Sequence, residues 1–267
     1  MIFDSHAHYD DAAFDNDRDE LLSKLFATDV CGVINVGCSM ETSKLSVELA
    51  QKYPLIWASV GVHPHEAENI SEDYLDILKS YFNNKKTVAI GEIGLDYHYD
   101  ISSRETQKQL FEEQLKLAKE LNVPVIIHDR EAHADTLELL KKYRPKGVVH
   151  CFSGSVEMSE EIIKLGMYIG LGGAVTFKNA KNPLLVAKAV PINRILLETD
   201  CPYMAPVPHR GTRCDSSMIK FTAGKIATAR SISVDELLKS ANENVQQLFV
   251  ARNKSSAQQR VTRGHNT

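Results

Sequence analysis

Eight short runs of β-branched and aliphatic residues recur along this chain, each followed by a longer stretch with helical spacing. The runs fall at residues 2–8, 30–37, 55–62, 87–95, 124–128, 147–152, 167–175 and 195–198. Several are apolar almost throughout, as in Val123-Pro-Val-Ile-Ile. A strand without a polar side is buried on both faces, which in a soluble protein means a parallel sheet covered by helices. The spacing predicts helices over 18–27, 41–52, 73–82, 104–121, 134–142, 158–165, 179–189, 219–229 and 234–250. In 104–121, Leu110, Leu117 and Leu121 share one stripe, flanked by Phe111, Leu115 and Ala118. Ser102 with Glu105 reads as a capping box at its start, and Asn122 and Pro124 stop it.

Eight strands alternating with helices predict an α/β fold of the TIM (β/α)8 barrel type. The rival is an open doubly wound sheet, which normally carries a glycine-rich phosphate turn after its first strand. Here that strand ends in His6-Ala-His8 instead. No repeat of 20–50 residues is present. The 267 residues suit one domain over 1–250, followed by a polar, solvated tail over 251–267 that lacks acids.

Lys and Arg number 31 against 35 Asp and Glu, a formal charge of −4. Such a chain has no general attraction for nucleic acid or anionic membranes, so a polyanionic substrate must be held by local cations or metal ions. The five cysteines, Cys31, Cys38, Cys151, Cys201 and Cys214, form no C-x-x-C pair, against a disulfide framework or a zinc knuckle. No basic stretch followed by a long apolar run opens the chain, and no apolar segment approaches a membrane span. The expectation is a cytoplasmic protein, monomeric and without a membrane partner.

Chemistry-bearing side chains gather where the strands end. His6 and His8 close the first run, and residues i and i+2 of a strand face the same way. Glu92 interrupts the apolar fourth run, where a buried carboxylate needs a cation or a proton. His128 ends the fifth run, His150 the sixth, and Glu198 and Asp200 the eighth. Singly, each is compatible with a satisfied core polar residue. Together they occupy the C-terminal ends of strands 1, 4, 5, 6 and 8, the face on which TIM-barrel active sites are built. Four histidines and two carboxylates suffice for two ions that share a bridging carboxylate. Mixed imidazole and carboxylate donors suit Zn, Mn, Co or Ni better than Mg. Beyond them lie His63, His65, Asp96-Tyr97-His98-Tyr99, Arg130, and His209 with Arg210, whose guanidinium suits phosphate. Cys151 and Cys201 read as packing residues.

The segments Met1-Ile-Phe-Asp-Ser-His-Ala-His, Gly61-Val-His-Pro-His, Gly91-Glu-Ile-Gly-Leu-Asp-Tyr-His, Ile127-His-Asp-Arg, His150-Cys-Phe-Ser-Gly and Leu197-Glu-Thr-Asp-Cys-Pro-Tyr-Met-Ala-Pro-Val-Pro-His-Arg-Gly together resemble the TatD family. These are metal-dependent deoxyribonucleases and related hydrolases of the amidohydrolase superfamily. The resemblance implies a TIM barrel and two divalent ions. It implies His6, His8, Glu92 and Asp200 on one ion, and Glu92, His128 and His150 on the other. Asp200 and Glu92 would be catalytic, and His63, His65, His209 and Arg210 would contact substrate phosphate. The implied activity is hydrolysis of DNA phosphodiester bonds, 3′ to 5′ on single strands, with DNA rather than RNA the expected nucleic acid. An in-class alternative is ester or amide hydrolysis, including removal of D-amino acids from tRNA. Amide-cleaving relatives are similar in fold but carry a carboxylated lysine where Glu92 stands, which favours the phosphodiesterase. A barrel that only binds metal or nucleic acid is the non-enzymatic alternative, and the complete donor set argues against it. Arg213-Cys214-Asp215-Ser216 departs from the family pattern, lacking its Asn and Pro.

Overall fold

The computed structural model describes residues 1–250. Eight parallel strands lie side by side in chain order: β1 (Ile2–Ala7), β2 (Val30–Val36), β3 (Ile56–Val60), β4 (Thr87–Asp96), β5 (Val125–Arg130), β6 (Gly147–Val149), β7 (Tyr168–Leu171) and β8 (Ile195–Leu197). Between and after them run α1 (Arg18–Phe26), α2 (Met40–Lys52), α3 (Tyr74–Tyr81), α4 (Arg104–Leu121), α5 (His133–Tyr143), α6 (Val156–Lys164), α7 (Lys181–Ala189), α8 (Ile219–Arg230) and α9 (Val234–Val245). The sheet curls until β1 meets β8. Ala7 bridges Cys201 in parallel, Asp200 N–H donates to His6 O at 3.0 Å, and His8 N–H donates to Cys201 O at 2.8 Å. The tail predicted at 251–267 lies outside the described residues.

Two apolar layers result from the strand period of two. One set packs the strands against the helices, and includes Val33, Ala58, Ile90, Ile127, Val149, Ile169 and Ile195. The other takes Phe3, Ile34, Val88, Ile126, Val148, Tyr168 and Leu196, with Trp57 packed on it, so that every strand contributes. These side chains fill the barrel. Val245, Leu248 and Phe249 join the same cluster and cover the end where the strands begin. The last helix, expected to run to 250, changes at Gln246 into a π-helical turn, Gln246–Val250. That wider turn carries Leu248 and Phe249 into the cluster.

Three sequence expectations shift. Ser103, not Ser102, caps α4, accepting from Thr106 N–H at 3.2 Å. Ser102 is buried, and its hydroxyl donates to His65 O at 3.4 Å. The seventh strand stops at Leu171 rather than 175 and passes into a 3₁₀ turn, Gly173–Thr176, because the loop after β8 presses on it. A Cβ at Gly173 would strike Met204 O. β6 and β8 are three residues each, so His150, Glu198 and Asp200 follow the ladder rather than end it.

Two buried glutamines of α4 tie it to the loops at the strands' C-terminal ends. Gln107 accepts from Asp96 N–H at 2.9 Å and donates to Asp96 O at 3.1 Å. Gln114 does the same for Val62, at 2.8 Å and 2.9 Å. Each pair satisfies strand-end backbone groups that water does not reach, and holds the neighbours of Asp96 and His63 in place.

Candidate metal centre

The strand register slips between Asp4 and Ala7 in β1 and between Ile90 and Ile93 in β4. Such irregularities re-aim side chains beside active sites, and these flank His6 and Glu92. Gly94 helps to bring β4 onto β5: its φ is 148°, and a Cβ there would strike His128 O.

Glu92 is buried at the centre of the cluster. Its two oxygens face different histidines. Oε1 lies 2.7 Å from His150 Nε2, 2.8 Å from His128 Nδ1 and 3.7 Å from His63 Nε2. Oε2 lies 3.4 Å from His6 Nε2 and 3.9 Å from His8 Nε2. Asp200 Oδ1 stands on the His6–His8 side, at 3.6 Å and 3.2 Å. His6 Nε2 and His8 Nε2 are 3.0 Å apart. Burial opposes charge on Glu92, yet His150, His128 and His6 outweigh it and hold its carboxyl well below the usual carboxylate range. Asp200 is shifted down as well: burial opposes, while the His8 hydrogen bond and the charges of His6, His8 and His150 prevail. Burial and His150 push His6 down to about 4, which leaves it a neutral imidazole. Burial lowers His128, but Asp96 and Glu92 outweigh it and raise the imidazole to about 9.

This donor set fits divalent metal ions. Ring nitrogens and carboxylate oxygens, mostly buried, converge from five strand ends. His6, His8 and Glu92 form one group, and His63, Glu92 and His128 another, each with donor atoms within 4.8 Å of one another. Neutral imidazole and carboxylate together suit first-row divalent ions. Outer partners hold two of the rings: His8 Nδ1 lies 2.8 Å from Val36 O, and His128 Nε2 lies 3.2 Å from Asp96 Oδ2. A ring nitrogen held in this way fixes tautomer and orientation for a metal on the other.

The structure thus brings together His6, His8, Glu92, His128, His150 and Asp200. His63, expected at the substrate, stands against Glu92 itself. His65 Nε2 lies 3.0 Å from Asp96 Oδ2 and is half-buried. His209 and Arg210 sit on the loop after β8, the first ring 4.6 Å from that of Phe221 and the guanidinium 3.8 Å from the Phe177 ring centroid. Tyr99 and Tyr203 are each 57% exposed on loops that follow β4 and β8. Cys201 is buried as expected, and Cys151 is half-buried.

Sequence reading missed two participants. Asp4 is fully buried and accepts four hydrogen bonds, from His6 N–H, Thr199 N–H, Thr199 Oγ1 and Ser216 Oγ. Burial outweighs them and pushes its carboxyl up to about 6. Its signal was present: Asp4 begins the same alternating face as His6 and His8. Cys38 Sγ donates to Glu92 Oε2 at 3.3 Å, but nothing in its local sequence marks it, since only barrel closure brings the two together. The atypical 213–216 segment belongs to this seam. Arg213 Nη1 pairs with Asp17 Oδ1 at 2.7 Å, and Ser216 reaches Asp4 at 2.7 Å.

A family model described as TatD related DNase matches residues 3–250. The uncharacterized metal-dependent hydrolase YabD of Bacillus subtilis is 40% identical over 252 residues, 93% of this chain and 99% of that protein. A protein of Cronobacter sakazakii named 3′-5′ ssDNA/RNA exonuclease TatD is 36% identical over 209 residues, 77% of this chain and 80% of its own. The crystal structure of YjjV, a TatD homologue from Escherichia coli, superposes with a TM-score of 0.87 at 32% identity, covering 93% of this chain and 97% of that one. Matched along the barrel by that family model and by those relatives, and carrying a donor cluster at its strand ends, this chain belongs to the TatD-related DNase family and is a metal-dependent hydrolase.

Proposed function

We propose that the enzyme hydrolyses phosphodiester bonds in single-stranded nucleic acid, DNA in preference to RNA, from the 3′ end, using two divalent ions. The division of Glu92 carries the two-ion reading. With Oε2 toward His6, His8 and Asp200, and Oε1 toward His128 and His150, one carboxylate serves both sides. The donor set leaves the choice among Zn, Mn, Co, Ni and Mg to measurement. Nucleic acid as substrate is supported by the family description and by the name of the Cronobacter relative.

Bound divalent ions supply Lewis acidity, which polarises a phosphoryl oxygen and acidifies a water. The protein's own part follows from its geometry. Asp200 is ionised, and its side chain is 20% exposed against 5% for Glu92, so it can take the proton of the attacking water. His63 and His65, beside Glu92 and Asp96, would hold non-bridging oxygens. Arg210 and His209, on the loop after β8, would hold the flanking phosphate. Tyr99 and Tyr203 offer faces on which unpaired bases stack without being read. A cup walled by βα loops admits a single strand, whereas a duplex is too wide to lower an internal phosphate into it.

The test is a panel of end-labelled single-stranded DNA of both polarities, end-labelled blunt duplex, covalently closed duplex, RNA, D-aminoacyl-tRNA and a simple phosphate ester, each with added metal and with chelator. Metal-dependent shortening of single-stranded DNA from the 3′ end is expected. Faster cutting within a closed duplex, or hydrolysis of the aminoacyl ester alone, would overturn the reading.

A further inference from the structure

Two rings of the cluster lack the outer partner that the other two have. His8 and His128 are each held from behind, by Val36 O and by Asp96. His6 Nδ1 and His150 Nδ1 are buried and find no hydrogen-bond partner among the described residues, and neither does Glu198 Oε2. These three atoms belong to side chains that lie together. The His6 and His150 rings stack with centroids 3.9 Å apart and planes 12° from parallel. Glu198 Oε1 lies 3.9 Å from His150 Nδ1 and accepts from Cys151 N–H. One donor atom from each of His6, His150 and Glu198 falls within 4.8 Å of the others. Glu198 is 1% exposed, and Gly170 on β7 makes the room for it, since a Cβ there would run into Oε2.

We propose that Glu198 is a positioning residue for both metal sites, acting through one buried water held among His6, His150 and Glu198. The argument rests on the ligand assignment proposed above. A neutral imidazole that offers Nε2 to an ion carries its proton on Nδ1, so both rings bury an N–H at Nδ1, that of His150 lying 3.9 Å from Glu198 Oε1. Two inward N–H donors repel a further cation and require an acceptor. The stacked rings of His6 and His150 and the 3.9 Å from His150 Nδ1 to Glu198 Oε1 set the three side chains at a spacing that one water spans with ordinary hydrogen bonds. A water there accepts from both Nδ1–H groups and donates to Glu198 Oε2. Three bonds are usual for a buried water. Burying three polar groups without such a partner would cost each its hydration. His6 serves one ion and His150 the other, so a single carboxylate sets the tautomer and tilt of one ligand on each.

The experiment compares wild type with Glu198→Gln, which keeps an oxygen for Cys151 N–H and places an amide N–H where Oε2 accepts. Zinc affinity is measured by competition with a chromophoric chelator, and ¹⁵N-histidine NMR of the zinc-loaded protein reads each Nδ1 proton. Both zinc affinities should fall together by about 10- to 100-fold, the usual cost of removing a carboxylate behind a ligating histidine. The Nδ1–H signals of His6 and His150 should shift while the Nδ1–H signal of His8 and the Nε2–H signal of His128 stay. Unchanged affinity, or unmoved His6 and His150 signals, overturns the proposal. His6→Asn and His150→Asn separate the two levels: if either keeps both zinc ions, the ligand assignment itself fails. Should Glu198→Gln not fold, a high-resolution crystal structure of the wild-type zinc protein decides, and no water density among the three side chains would refute the inference.

Discussion

Glu92 Oε1 lies 2.7 Å from His150 Nε2, a contact that joins β4 to the first residue past β6. The other carboxylate oxygen faces His6 and His8, so one side chain is common to both halves of the cluster. Glu92→Ala should therefore lose more metal than any single histidine substitution, because both ions lose a ligand and a neutralising charge. Metal content of the purified variants, by plasma mass spectrometry, checks this. Two ions retained per chain would remove Glu92 from the bridging position.

Asp200→Asn should turn over at least ~100-fold more slowly, the scale of a lost general base. The amide keeps the shape and the Oδ1 contact toward His8 but accepts a proton poorly. Steady-state kinetics at saturating metal is the measurement, and turnover near wild type at full occupancy would rule Asp200 out of proton transfer.

Arg210→Ala should raise KM for oligonucleotides and leave kcat and metal content unchanged. Its guanidinium is anchored over Phe177 and by Nη1 donating to Ala205 O at 3.3 Å, and its remaining donors would reach a phosphate beyond the donor cluster. Phe177→Ala should give a smaller rise, by loosening that anchor. Unaltered KM in both would make Arg210 a loop cation only.

In the chelator-treated protein His128 is raised from 6.5 to about 9, because Asp96 and Glu92 outweigh the effect of burial. Between those pH values the folded protein holds a proton that the unfolded chain has released. This contribution to stability is fully present below about pH 6.5 and is lost as pH rises through about 9. Metal uptake displaces the same proton, so ion affinity should strengthen over the same interval. Thermal melts of the metal-free protein at several pH values, with calorimetry of metal binding in two buffers of different ionisation enthalpy, test both signs. No proton release at pH 7.5 would count against His128 as a ligand.

Phe249→Ala should destabilise the fold by about 3–5 kcal/mol, the usual range for truncating a buried aromatic residue. Phe249 closes the end of the barrel opposite the donor cluster, so metal content should survive. Chemical denaturation is the measurement, and a loss below about 1 kcal/mol would mean that the π-helical turn packs loosely.

The strand and helix order was readable because apolar runs without a polar face have one good solution, a parallel sheet wrapped in helices. The ligand candidates were readable for a related reason: Glu92 and His128 interrupt or end such runs, where a polar side chain is conspicuous. What escaped depends on contacts between distant segments. Ser103 caps α4 because Ser102 is drawn inward to His65 O. The last helix widens at Gln246 because the barrel must be filled from below. Cys38 meets Glu92 only once β2 and β4 share a barrel.

The seam between β1 and β8 has a consequence for how this enzyme is made. His6 and His8 are made before the rest of the barrel, whereas Asp200 and the Asp4 partners Thr199 and Ser216 arrive after most of it has emerged. The first strand must wait, unpaired on one edge, for the last to reach it. Until then the His6–His8 side lacks Asp200, and a nascent or truncated chain would have an incomplete donor set. On the proposed ligand assignment, hydrolytic activity would then await the final strand, and catalysis would report that the ring has closed.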